Sequence, residues 1–277
     1  MNMRLMTTLD ISEAMRLKEL AGWNQASADW ERFLSANPEG CFIAEMDGRL
    51  VGTVATIIYE DRLAWIAMVL VDPKFRGRGI GRSLLESAIE HLDSRKIACI
   101  KLDATPQGKP IYEKLGFVTE YDIERWALKK PPAHRLPNTP SPKLDDVLNL
   151  DREVFGADRG ALLQSISNSA PEFVQVLTTP TEVKGYAFGR HGALADSLGP
   201  WIARDEHAAA VLLDSFLARS SRELAFVDCL KSNPWAIRLV EARGFKFGRP
   251  LTRMHRGVNA HPGRTDMVCG ILGPEFG

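Results

Sequence analysis

The chain has 277 residues, of which 35 are basic and 35 acidic, so its formal net charge is zero. That length leaves room for two domains with cores of their own, and the balanced charge gives no electrostatic case for nucleic acid or an anionic membrane as partner. Cys41, Cys99, Cys229 and Cys269 are scattered without the C-x-x-C spacings of zinc or redox sites, which predicts reduced, buried thiols and no metal. No positively charged leader with an apolar core opens the sequence, and a cytoplasmic location is expected.

Taken in chain order, residues 41–45 and 50–59 are strand-like and flank Asp47-Gly48, a strong hairpin signal. Leu63–Val71 is almost wholly apolar, too short to span a bilayer, and predicts a strand buried on both faces. It stops at Asp72-Pro73, and Arg76-Gly-Arg-Gly-Ile-Gly-Arg82 follows. Gly77, Gly79 and Gly81 let the backbone fold tightly and aim amide N–H groups at an anion on a helix N-terminus, while Arg76, Arg78 and Arg82 add positive charge. The helix after the loop carries one apolar stripe through Ile80, Leu84, Leu85, Ala88, Ile89 and Leu92. Residues 97–102 form a further apolar strand. Lys109-Pro-Ile-Tyr-Glu-Lys-Leu-Gly-Phe117 then reads as a short helix stopped by Gly116.

Two phosphate motifs are excluded by spacing. A Rossmann loop needs G-x-G-x-x-G, and here the third glycine comes one position early; a P-loop ends in Gly-Lys-Ser/Thr, which is missing. The segment resembles instead the R-x-x-G-x-G acyl-CoA loop of the GNAT superfamily of N-acetyltransferases, with Arg76, Gly79 and Gly81 at the motif positions. Tyr112-Glu-Lys-Leu-Gly-Phe117 resembles that superfamily's later helix end. The resemblance implies an α/β (α+β) fold and a site that takes acetyl-CoA as co-substrate. Its contacts would be main-chain groups of Val69, Leu70 and Val71 on a strand splayed from its neighbour, followed by Arg76, Gly77, Arg78, Gly79, Ile80, Gly81 and Arg82. Tyr112 would be the acid that meets the departing thiolate, and an N–H near Val69 would polarise the thioester oxygen.

An amine acceptor is protonated at neutral pH and needs a base. Asp103, at the C-terminal end of its strand, is the nearest carboxylate. Glu45 and Glu60 are weaker choices, and a water chain with no dedicated carboxylate serves equally.

Five prolines between positions 131 and 142 predict a stiff linker. Beyond it the first pattern returns. The stripe that begins at Ile80 recurs from Ala208, 128 positions later, as Ala208, Leu212, Leu213, Phe216 and Leu217, and Gly116-Phe117 recurs at the same shift as Gly244-Phe245. Two tandem GNAT-like domains are therefore expected, residues 1–130 and 143–277 around a linker at 131–142, each a mixed, largely antiparallel sheet flanked by helices. The second copy replaces Gly77, Gly79 and Gly81 with Asp205, His207 and Ala209, and Tyr112 with Val240. It should bind a pyrophosphate poorly. Trp201 and Trp235 are candidates for lining a pocket between the halves. The expected activity is acetylation of a primary amine on a small molecule by the first half; a protein amine, a thiol or hydroxyl acceptor, or acetyl-CoA binding without turnover, are the alternatives. Oligomeric state is left open.

Overall fold

The computed structural model describes residues 1–131 and 144–277. The expected linker at 131–142 therefore lies, but for its first residue, outside the described residues.

The first half runs β1 (Asn2–Leu5), α1 (Ile11–Leu20), α2 (Ser27–Ala36), β2 (Phe42–Met46), β3 (Arg49–Tyr59), β4 (Leu63–Val71), α3 (Ile80–Ser94), β5 (Cys99–Ala104), α4 (Lys109–Lys114) and β6 (Val118–Lys129). The second runs α5 (Asp145–Phe155), α6 (Gly160–Ser169), β7 (Gln175–Thr178), β8 (Val183–His191), β9 (Asp196–Ala203), α7 (Glu206–Arg219), β10 (Leu224–Leu230), α8 (Ala236–Ala242), β11 (Lys246–Gly257) and β12 (Val268–Gly270). The order from α1 to β6 recurs from α5 to β11, as the sequence expected, while β1 and β12 have no counterparts.

Local chemistry explains the main elements. Asp47 and Gly48 both adopt left-handed φ, +51° and +72°, the pair of values that a two-residue hairpin turn between β2 and β3 demands. Strand β4 is apolar throughout because it has two covered faces. Leu63, Trp65 and Ala67 pack into a core shared with α5 and α6, while Ala64 and Ile66 pack beneath α3. All six predicted stripe residues of α3 are buried. The four cysteines are free and buried.

The strands form one 12-stranded sheet in the order β1-β2-β3-β4-β5-β11-β6-β10-β12-β9-β8-β7. Pairing is antiparallel except for β4–β5 and β9–β10. Near its middle the two halves interleave. Strand β11 runs between β5 and β6, and β6 is in turn held between β11 and β10. Side chains from late in the sequence are thereby carried to the open end of the first half.

Candidate active site

The anion cradle is assembled from the end of β4 outward. The Asp72 carboxylate is buried; it accepts the Lys74 N–H at 3.0 Å and a bond from Arg16 Nη1 at 3.0 Å. Burial raises its pKa, but these two donors outweigh that and hold it below the usual carboxylate value. The start of the loop is thus pinned to α1. Gly77 and Gly79 stand at φ of +77° and +81°, a region that costs other L-residues about 1 kcal/mol. A Cβ at either would meet no protein atom within 4 Å, so backbone conformation, and not crowding, requires glycine. Gly79 is the N-cap of α3 and offers no side chain to the first-turn N–H groups. Those donors remain open to an anion. Arg76 is tied back by Nε to the Val71 carbonyl at 3.2 Å. The Arg78 guanidinium lies 5.2 Å from the Phe75 ring centroid.

The corresponding turn of the second half is filled by its own side chain. Arg204, at the position of Arg76, donates instead from Nε to the Val183 carbonyl at 3.0 Å, at the start of β8 and not on the strand that precedes it. Asp205, however, caps α7 in extended conformation, and its carboxylate accepts the Ala208 N–H at 2.8 Å. A carboxylate sits on the donors that α3 leaves open.

Between β4 and β5 the sheet splits. The strands pair at Leu63–Cys99, Ala64–Ile100 and Trp65–Lys101, and no further. Residues 66–71 then leave their edge to a cleft of about 980 Å³, the size of a small-molecule site. A bulge marks this stretch: the β3–β4 register shifts between Thr53 and Ala55, and Met68 takes a left-handed φ of +56°. Such a conformation costs a non-glycine residue of order 1–3 kcal/mol and concentrates at functional sites. Thr53 Oγ1 stabilises it by donating to the Met68 carbonyl at 2.7 Å.

Val69, Leu70, Val71, Arg76, Gly77, Gly79, Ile80, Gly81, Arg82, Asp103 and Tyr112 all border this one cleft. Arg78 does not line it. Tyr112 is on α4, its ring set edge-on to Phe117 at 6.1 Å. Its hydroxyl has no hydrogen-bond partner among the described residues, and burial pushes its pKa up to about 12. The Asp103 side chain is fully buried and doubly engaged: Arg253 donates to both carboxylate oxygens, at 2.9 and 2.8 Å. Burial pushes its pKa up and Arg253 pulls it down, with burial prevailing. Arg253 also donates to the Tyr121 hydroxyl at 2.5 Å and lies 4.4 Å from the Trp65 ring centroid. Glu45 is bonded to Arg4, and Glu60 is paired with Arg62 and Arg152; neither reaches the cleft.

The cleft is also lined by residues that the sequence reading did not single out as a site: Trp23 and Gln25 after α1, Arg249 and Leu251 on β11, and Pro274 and Glu275 near the last described residue. Trp201 and Trp235, expected there, belong to the second half's own core, where their indole N–H groups donate to the Ala209 carbonyl and Cys269 Sγ. Glu275 is held by Gln25 Nε2 at 2.8 Å and by Arg190, which also binds Asp29 at 2.8 Å. This network clamps the second half onto α2 beside the cleft.

The family description Acetyltransferase (GNAT) family matches residues 9–117, and a second, Acetyltransferase (GNAT) domain, matches residues 147–270. The chain belongs to the GNAT acetyltransferase family. This GNAT protein is 27% identical over 274 residues to holothin acyltransferase from Pseudoalteromonas sp. (strain SANK 73390), covering 92% of the chain and 87% of that relative. It is also 35% identical over 99 residues to mycothiol acetyltransferase from Thermomonospora curvata, covering 35% of the chain and 33% of that relative. Among solved structures, a Pyrococcus horikoshii protein superposes with a TM-score of 0.83 at 24% identity, covering 100% of this GNAT chain and 95% of its own. The fold of both halves together therefore recurs as a unit. This GNAT protein is an acyl-CoA-dependent N-acetyltransferase; among its described residues no three metal-binding side chains cluster.

Proposed function

We propose that the first half binds acetyl-CoA and transfers the acetyl group to a primary amine of a small molecule, and that the second half walls the acceptor side. The observation that carries the small acceptor is the origin of that wall. Arg249, Leu251, Pro274 and Glu275 line the same cleft as Tyr112, which favours a compact ligand over an extended peptide. A protein amine would need an open groove along the sheet edge.

In this reading the open N–H groups of α3, with Arg76 and Arg82, hold the pyrophosphate of acetyl-CoA. The exposed edge of residues 66–71 pairs with the amides behind the thioester, and an N–H near Val69 faces the carbonyl oxygen as it becomes negative. The amine must arrive neutral. Asp103 is ill-suited to deprotonate it, because protonating that carboxylate would strand the buried guanidinium of Arg253. We assign Asp103 to holding Arg253 in place, and the amine's proton to water in the cleft. Tyr112 faces the sulfur and donates a hydrogen bond to it as the C–S bond breaks.

The test is thiol release from acetyl-CoA across a panel of small amines, alongside a panel of peptides with free N-termini and lysines. Release driven by small amines, at least tenfold above the peptides, is expected. Release driven chiefly by peptides would overturn the small acceptor, and no release from either would overturn the transfer itself.

A further inference from the structure

On one face of the sheet's centre the side chains of β11, β6 and β10 fall into rows, because directly opposed residues of antiparallel strands share a face. In the first row Arg253 lies opposite Tyr121 and, on its other side, opposite Asp103 of β5, which neutralises it. Two residues back along β11 the row is apolar, with Leu251 opposite Ile123 and Leu230 beyond. Two residues further, Arg249 lies opposite Arg125, and Arg125 opposite Asp228.

That third row holds two positive charges and one negative. Asp228 takes both of its bonds from Arg125, at 2.8 and 2.7 Å. Arg249 is partly buried and has neither a hydrogen bond nor an ion pair among the described residues. Like charges directly opposite each other destabilise a strand pair. Burial, reinforced by Arg125, pulls the Arg249 guanidinium below its usual pKa. Of the two acids that act on it through space, Asp228 and Glu275, the first is committed to Arg125 and the second to Arg190 and Gln25.

The reason the row is short of an acid is topological. Strand β5 ends at Ala104, opposite Thr252, and Arg249 lies three residues past that point, about 10 Å along the strand. No β5 residue can sit beside it as Asp103 sits beside Arg253. The cleft occupies that place, and Arg249 lines it.

We propose that Arg249 binds a carboxylate of the acceptor, so that the acceptor is a small amino-carboxylic acid. This rests on the amine transfer proposed above. A guanidinium presents two parallel N–H donors that match a carboxylate; the bound acid completes the third row as Asp103 completes the first.

The test uses the full chain and matched triplets of amines: an amino acid, its carboxamide, and the alkylamine lacking the group. Wild-type protein should prefer the acid by about tenfold or more in kcat/KM. Arg249→Met should bring that ratio to within about threefold of unity, mainly through KM, and Arg249→Lys should retain part of the preference. CoA affinity by calorimetry, equal in all three proteins, checks that each is folded. A preference that survives in Arg249→Met, or its absence from the wild type, overturns the assignment. If no amine releases thiol, the transfer reading has failed, and the assignment is decided separately by titrating CoA-loaded protein with N-acetylglycine. Binding heat that disappears in Arg249→Met sustains it; heat that persists, or no heat in the wild type, overturns it.

Discussion

Burial lifts the Tyr112 hydroxyl to about 12, whereas an ordinary thiol titrates near 8.5. The proton is therefore held more tightly by the phenol than by the sulfur that leaves. In the proposed transfer Tyr112 is therefore a hydrogen-bond donor to the developing thiolate, with the proton staying on oxygen. A hydrogen bond to a charged group contributes about 1.5–3 kcal/mol, so Tyr112→Phe should lower kcat by roughly 10- to 100-fold with CoA affinity nearly unchanged. The same number fixes the sign of the pH dependence. Tyr112 remains protonated at every pH below about 12, while the acceptor amine becomes reactive only as it loses its proton. The rate should rise with pH to the amine's own pKa and then stay level, with no falling limb up to pH ~10.5. Tyr112→Phe should keep that shape at a lower plateau. Stopped assays of thiol release from pH 6 to 10.5 decide it. A falling limb near pH 9 that vanishes in Tyr112→Phe would mean that the hydroxyl titrates within the working range.

Helices α3 and α7 are repeats of one element with opposite solutions at their N-termini. In α3 the cap is Gly79, left-handed and without a side chain; in α7 it is Asp205, whose carboxylate takes the Ala208 N–H. Removing that carboxylate by Asp205→Ala should cost about 1 kcal/mol, seen as a lower urea midpoint, while CoA stoichiometry stays at one per chain. A second equivalent of bound CoA in this variant would show that the cap alone kept the site closed. This contrast was readable from sequence because both solutions depend on short-range chemistry. Only glycine is at ease at the φ of Gly77 and Gly79, and Asp205 three residues before Ala208 is a common cap spacing. The six buried positions of α3 were legible for the same reason, since helical periodicity alone selects them. Strain at Met68 was not, because nothing in an apolar run of nine residues announces which one will bulge; the register against Thr53 and Ala55 decides that.

The second half's contribution to the cleft was out of reach of the sequence for a reason of scale. Arg249 sits beside the cleft only because β11 enters the sheet between β5 and β6, 150 residues after Asp103 in the case of its neighbour Arg253. A one-residue change in that register would turn Arg249, Leu251 and Arg253 to the opposite face. The same interleaving has a consequence for folding. Strand β6 has both neighbours, β10 and β11, in the second half, and β11 has both of its neighbours, β5 and β6, in the first. A piece ending near residue 131 would leave β6 without a partner on either side and β5 with an open edge, which invites aggregation. It would also lose Arg253 and so leave the buried Asp103 uncompensated, a defect of about 3–5 kcal/mol. Fragments 1–137 and 138–277 expressed separately should therefore be insoluble or unfolded by circular dichroism. Expressed together, they should purify as a 1:1 complex that binds CoA with an affinity close to that of the intact chain. A soluble, folded front fragment that binds CoA as tightly as the whole protein would show that the exchanged strands are dispensable to the site.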